Sequence, residues 1–164
     1  MPTVAAGQPA PTFKLTGIDS KKYSLEEALG QGPLLLAFFK VSCPTCQYAI
    51  PFIERLYQQF REQGMQVWAI SQDDARDSER FAEEYSVTFP ILLDEYPYET
   101  SREYGLEYVP TLFLLKRDRH VELTSDGFSK TDLLEIQRSM AKIFSTKPPR
   151  LFQPNEKVPE FKPG

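Results

Sequence analysis

The clearest pattern along the chain is an unbroken apolar run, Leu34-Leu35-Leu36-Ala37-Phe38-Phe39, inside the segment Pro33 to Lys40. Apolar residues on both pleat faces predict a central strand of a sheet covered on both sides. From Pro44 to Gln63 the period changes. Ile50, Ile53, Leu56, Tyr57 and Phe60 recur at helical spacing, with Gly64 placed as a stop. Pro51 falls inside this helix and is expected to kink it. Gln66 to Ser71 reads as a second buried strand, and Asp77 as the cap of a helix running to Tyr85.

Weaker signals fill the rest. Thr12 to Leu15 is a strand candidate, followed by a turn at Gly17 to Ser20. Ser24 caps a short helix, Leu25 to Leu29, ended by Gly30. Phe89 to Leu93 is a short strand or its approach, and Glu99 to Tyr104 a helical turn closed by Gly105. Thr111 to Leu115 is a strand, Lys116 to Arg119 a turn, and Val121 to Thr124 the hairpin partner. Ser129 and Asp132 form a capping box for a helix with Leu133, Ile136, Met140, Ile143 and Phe144 in one stripe. Strands alternating with helices predict an α/β fold with parallel crossovers and an antiparallel edge from the last hairpin. The expected division is one domain over 1-146 and a Pro-rich tail over 147-164. The tail is an extended strap or a disordered end, with Phe152, Val158 and Phe161 available to pin it.

Composition narrows the function. The chain has 164 residues, 41% hydrophobic and 26% charged, which is the make-up of a globular domain able to bury a core unaided. Leu34 to Phe39 is far shorter than a bilayer span, so no membrane segment is expected. The net charge is −4 and no Lys/Arg run could track a phosphate backbone, so no nucleic-acid partner is expected. Residues 1–7 carry neither a basic nor an apolar leader block, and the expected compartment is cytoplasmic, where thiols stay reduced.

The chemistry lies in Ser42-Cys43-Pro44-Thr45-Cys46. Its place between a buried strand and a helix puts Cys43 at the N-cap and Pro44 at the first helical position, which proline favours. First-turn N–H groups and the helix dipole then point at the Cys43 sulfur and stabilise its thiolate, the species that attacks. Cys46, one turn on, can resolve a mixed disulfide. Two bland readings stand beside this one. The pair could be two buried thiols, or half of a zinc site completed by carboxylates, His120 or another subunit. With two cysteines and one histidine, a four-ligand Cys/His zinc site is impossible, and no metal is expected. The second element is Val109-Pro110-Thr111 before a strand. A cis proline there would leave the Val109 backbone free to pair with an extended substrate, although a trans bond is the commoner state.

These blocks resemble the redoxin branch of the thioredoxin superfamily, which holds alkyl-hydroperoxide-reductase/thiol-specific-antioxidant peroxiredoxins and cytochrome c maturation-type thiol–disulfide reductases. Gly7 to Leu15 is similar to the GxxAPxFxL opening, Phe38 to Cys46 to the strand-then-CxxC block, Phe89 to Asp94 to the following strand, and Tyr104 to Thr111 to the cis-proline block. The resemblance spans about Gly7 to Phe144. It implies a thioredoxin-like fold: a central mixed β-sheet flanked by helices, with an N-terminal extension and an inserted βα unit. It also implies that Pro110 is cis. Three positions depart from the pattern. Ser42 stands where thioredoxins carry Trp, Ala37 where they carry a buried acid, and Ala49 where the maturation reductases carry Glu.

The reading is a thiol–disulfide oxidoreductase with Cys43 attacking, Cys46 resolving, and Pro44, Thr45, Val109 and Pro110 seating the substrate. No bound cofactor is implied. The partners expected are a disulfide-containing protein or small molecule and an unidentified thiol electron donor, with the protein a monomer or weak dimer serving cell redox homeostasis. The first alternative is a peroxiredoxin-like peroxidase with antioxidant activity. In that branch the peroxidatic cysteine would be Cys46, but Cys43 replaces the Thr or Ser three residues before it, and Val109-Pro110 stand where the peroxide-binding Arg belongs. The second alternative is a non-catalytic binding module with inert buried thiols. His120 reads as a solvated turn residue, Asp73-Asp74 as a cap region or a loop near the active face, and Tyr96-Pro97-Tyr98 as groove or packing residues.

Overall fold

All six residues of the strand Leu34–Phe39 are buried, and the strand sits deep in the sheet for that reason. The computed structural model describes residues 2–164. Its elements run β1 (Lys14–Gly17), β2 (Lys22–Ser24), α1 (Leu25–Gln31), β3 (Leu34–Phe39), α2 (Pro44–Phe60), β4 (Gln66–Ser71), α3 (Ala75–Glu84) and β5 (Ile91–Leu93). They continue with α4 (Glu99–Glu103), β6 (Thr111–Leu115), β7 (Val121–Asp126), β8 (Phe128–Ser129), α5 (Lys130–Ile143) and β9 (Phe161–Lys162). One seven-stranded sheet has the order β2-β1-β5-β4-β3-β6-β7. Strand β3 pairs parallel with β4 and antiparallel with β6, and β4 pairs parallel with β5. The sheet is mixed and helix-flanked, as the thioredoxin-like reading requires.

Alternation along β3 divides the interior in two. Leu35, Ala37 and Phe39 face a core with Ile50, Ile53 and Leu56 of α2 and Leu133, Ile136 and Met140 of α5. Leu34, Leu36 and Phe38 face a second core with Leu25 and Leu29 of α1, Trp68, Tyr104 and Phe113. Cys46 belongs to the first.

Several local expectations shift. Helix α3 is capped by Asp74, whose side chain accepts the Asp77 N–H at 2.8 Å, so Asp77 lies in the first turn and is not the cap. Helix α1 runs on past Gly30 to Gln31 and stops at Gly32. Helix α2 ends at Phe60, with Pro51 inside it; a 3-10 turn, Arg61–Gln63, then leads into Gly64 at φ 106, a left-handed position that suits glycine. Strand β2 has no counterpart in the sequence reading. Ser24 and Ser129 cap their helices as read, accepting N–H bonds from Glu27 and Asp132.

The segment after α5 is a strap. Leu151 is buried, and the Phe152 ring lies 5.1 Å from that of Phe52. Arg55 makes two 2.7 Å bonds to Glu156 and donates to the Leu151 carbonyl at 3.1 Å. Val158 packs on the first core. Phe161 does not pin the strap by burial, since the residue is 54% exposed; its backbone pairs with Ser129 in the β8–β9 ladder.

Candidate active site

The site forms where β3 ends and α2 begins. Cys43 has extended backbone angles and caps α2, with Pro44 in the first turn. Its Sγ accepts the Cys46 N–H at 3.1 Å, which places the sulfur on the unsatisfied amides at the positive end of the helix. The loop leading to it is held on both sides. The Val41 N–H donates to Asp73 Oδ2 at 2.8 Å, and Gln47 Nε2 donates to the Val41 carbonyl at 2.9 Å. Asp73 thus takes the second of the two readings the sequence offers for Asp73-Asp74, a loop near the active face, whereas Gln47 carries no sequence signal for the site. The acidic pair after β4 is divided: Asp74 caps α3 while Asp73 braces the cysteine loop.

Strand β6 supplies the other wall. Pairing of Phe38 with Thr111 sets the start of β6 beside the end of β3. The Val109–Pro110 peptide is cis, and the Val109 carbonyl lies 3.4 Å from Cys43 Sγ, accepting from the thiol. Thr111 Oγ1 donates to the Tyr108 carbonyl at 2.7 Å, and the Gly127 N–H donates to the Pro110 carbonyl at 2.8 Å, which fixes this turn. Thr45 is half-buried on the first turn of α2, and its hydroxyl donates to the Pro163 carbonyl at 2.7 Å. Cys43, Pro44, Thr45, Cys46, Val109 and Pro110 thus converge at one end of the neighbouring strands β3 and β6.

Other candidates lie elsewhere. His120 follows β6, whose last residue, Leu115, pairs with Leu34 at the start of β3; the CxxC stands at the opposite end of that strand. His120 therefore cannot complete a zinc site there, and no group of three or more His, Cys, Asp or Glu among the described residues is placed to hold a metal. Tyr96 is 82% exposed, and Pro97 lines a cleft with Phe13 and Leu15 on the β1 side, so this trio does not wall the cysteine pair.

The two sulfurs differ in surroundings. Cys43 is partly exposed, whereas Cys46 has no exposed surface. Burial pushes the Cys46 thiol well above its ordinary value of 9.0; the Cys43 side chain adds to this, and the backbone of Lys40 opposes it. Ala37 and Ala49 are buried where the resemblance would place acids, and no carboxylate acts on the Cys46 thiol. This has a consequence for stability. The thiol ionises at lower pH unfolded than folded, so its contribution is complete below pH 9 and falls above it. Relative to Cys46→Ala, the reduced protein should lose stability by up to about 1.4 kcal/mol per pH unit above that point. Urea unfolding under reductant at pH 8, 9 and 10 checks it; a pH-independent difference would refute the assignment.

Residues 6–124 match the AhpC/TSA family. The chain is 30% identical over 139 residues to the thiol-disulfide oxidoreductase ResA of Geobacillus thermodenitrificans, covering 84% of this chain and 79% of that protein. Among solved structures, one from Chlorobium tepidum, described provisionally as thiol:disulfide interchange protein DsbE, superposes with a TM-score of 0.77 at 25% identity over 87% of this chain and 99% of that one. Peroxidoxin BcpB of Mycobacterium tuberculosis shares the fold, with a TM-score of 0.72 at 21% identity over 85% and 97% of the two chains. The chain belongs to the AhpC/TSA family and is one of its thiol–disulfide oxidoreductases.

Proposed function

We propose that Cys43 is the attacking thiol and Cys46 the resolving thiol of a disulfide reductase. The Cys43 thiolate attacks one sulfur of a substrate disulfide, forming a mixed disulfide and expelling the other sulfur as a thiolate, which takes up a proton. Cys46 then loses its proton and attacks Cys43 Sγ, releasing the second substrate thiol and closing the Cys43–Cys46 disulfide. Two electrons have passed to the substrate. A thiol donor, not identified by this chain, returns them. The observation that carries this assignment is the asymmetry of the pair. Cys43 is partly exposed and seated on first-turn amides, while Cys46 is enclosed behind it. Pro44 and Thr45 on one side, and Val109 and Pro110 on the other, frame the approach to Cys43 and seat the substrate.

The same asymmetry weighs against the peroxidase. Its attacking sulfur would be Cys46, which no peroxide reaches in this packing, and Val109-Pro110 offer no guanidinium to the peroxide oxygens. An inert binding module would bury both thiols. A monomer or weak dimer completes the proposal, placed in the cytoplasm, where thiols stay reduced; cysteine use confined to the one pair supports that compartment.

The test compares two substrates under one reductant. Dithiothreitol-driven reduction of insulin disulfides should run faster with the protein than without it, while hydrogen peroxide should be consumed no faster than by dithiothreitol alone. Peroxide turnover without insulin turnover would reverse the choice.

A further inference from the structure

The last stretch of the strap lies on the residues assigned above to the substrate. Upstream it is anchored away from the site by the Arg55–Glu156 pair and by Phe152 on Phe52. From Glu160 onward it turns toward the CxxC end of the sheet. The Lys130 N–H donates to the Glu160 carbonyl at 3.0 Å, and β9 pairs antiparallel with β8, Phe128 opposite Lys162. Beyond the ladder, Pro163 accepts the Thr45 hydroxyl at 2.7 Å. Gly164 is so close to the cis-proline turn that a methyl on its Cα would stand 2.6 Å from the Val109 carbonyl oxygen. The Lys162 ammonium lies 5.0 Å from the ring centroid of Tyr48, one helical turn after Thr45. An extended backbone therefore spans from α2 to Val109, across the two walls that flank Cys43.

We propose that residues 161–164 occupy the seat of the substrate's own extended segment, so the site is built for a polypeptide disulfide and the strap is its internal competitor. This rests on the assignment of Cys43 as attacking thiol and of Thr45 and Val109 as substrate-seating residues. The contacts are those an extended peptide would make: a carbonyl on the Thr45 hydroxyl and backbone packed on Val109. A protein disulfide must lift residues 161–164 to dock. A small organic disulfide, which needs no extended seat, reaches the partly exposed Cys43 with the strap in place. Because the closed strap reduces the fraction of binding-competent protein, loosening it lowers the apparent KM for a protein substrate and leaves kcat unchanged.

The test uses the full chain carrying Lys162→Ala and Gly164→Ala together. The first removes the cation from the Tyr48 face; the second puts a methyl where the Val109 carbonyl oxygen blocks it. KM and kcat are measured for insulin and for bis(2-hydroxyethyl) disulfide. The expected result is a KM for insulin lowered about 5-fold, with both constants for the small disulfide unchanged. As a second readout, the peptide Pro-Glu-Phe-Lys-Pro-Gly should inhibit the variant competitively against insulin. An unchanged or raised KM for insulin, with small-disulfide turnover intact, would overturn the proposal and leave the cysteine roles standing. An equal gain on both substrates would also overturn it, since the strap would then be a general shield. Wild-type protein that turns over neither substrate would instead refute the cysteine assignment itself.

Discussion

Cys43→Ser should lose disulfide turnover by roughly 10³-fold or more, while Cys46→Ser should stop after its first attack. The expectation follows from geometry and not from the motif alone. Cys43 caps α2 and its sulfur receives the Cys46 amide at 3.1 Å, an arrangement that supports an anion. A serine hydroxyl fits the same cap but is not ionised near neutral pH, so the cap survives and the nucleophile does not. Cys46 has no exposed surface and its thiol is held protonated by burial. It can reach only the neighbouring sulfur. Cys46→Ser should therefore accumulate a covalent adduct with the substrate at Cys43, visible by mass spectrometry and released by dithiothreitol. Turnover by Cys43→Ser within tenfold of wild type, or an adduct on Cys46, would invert the roles.

How far this was legible beforehand differs between elements. The run Leu34 to Phe39 announces a covered strand because every position is apolar, and β3 is buried throughout. Cys43-Pro44-Thr45-Cys46 is readable because N-cap and first-turn preferences are local. Strand β2 was not readable: it is three residues long and includes exposed Lys22, too little for a period to show. The β8–β9 ladder is shorter still, two residues each side, and joins segments more than thirty positions apart, so tertiary packing decides it. Asp73 illustrates a different limit. Its neighbour Asp74 follows the local rule for a helix cap, whereas Asp73 acts on Val41, thirty-two positions earlier. Gln47 gave no signal beyond being a polar residue after the second cysteine. The strap was visible as proline-rich chain, yet its course depends on Arg55, Phe52 and Thr45, which lie on another element.

The two faces of β3 also divide the labour, and this sets the second large effect. One face shares its core with Cys46; the other carries Phe38. Phe38 has no exposed surface, and its ring lies 5.1 Å from that of Tyr104 and 5.6 Å from that of Phe113. Tyr104 is itself buried, its hydroxyl donating to the Pro11 carbonyl at 2.7 Å, so the cluster ties β3 and β6 to α4 and the segment before β1. These neighbours sit on paired strands and a bonded tyrosine, and cannot collapse far into a void. Phe38→Ala should thus cost about 3–5 kcal/mol of unfolding free energy. In a chain of this size that corresponds to a fall in Tm of about 6–20 °C. The folded fraction should keep its rate of insulin reduction, because the lost ring points away from the cysteine core. Urea denaturation, and activity measured well below the lowered midpoint, separate the two effects. A cost under about 1 kcal/mol would mean that the cluster refills the space, contrary to close packing. A loss of rate in fully folded variant would mean that the second core positions Cys43 through the Phe38–Thr111 pairing.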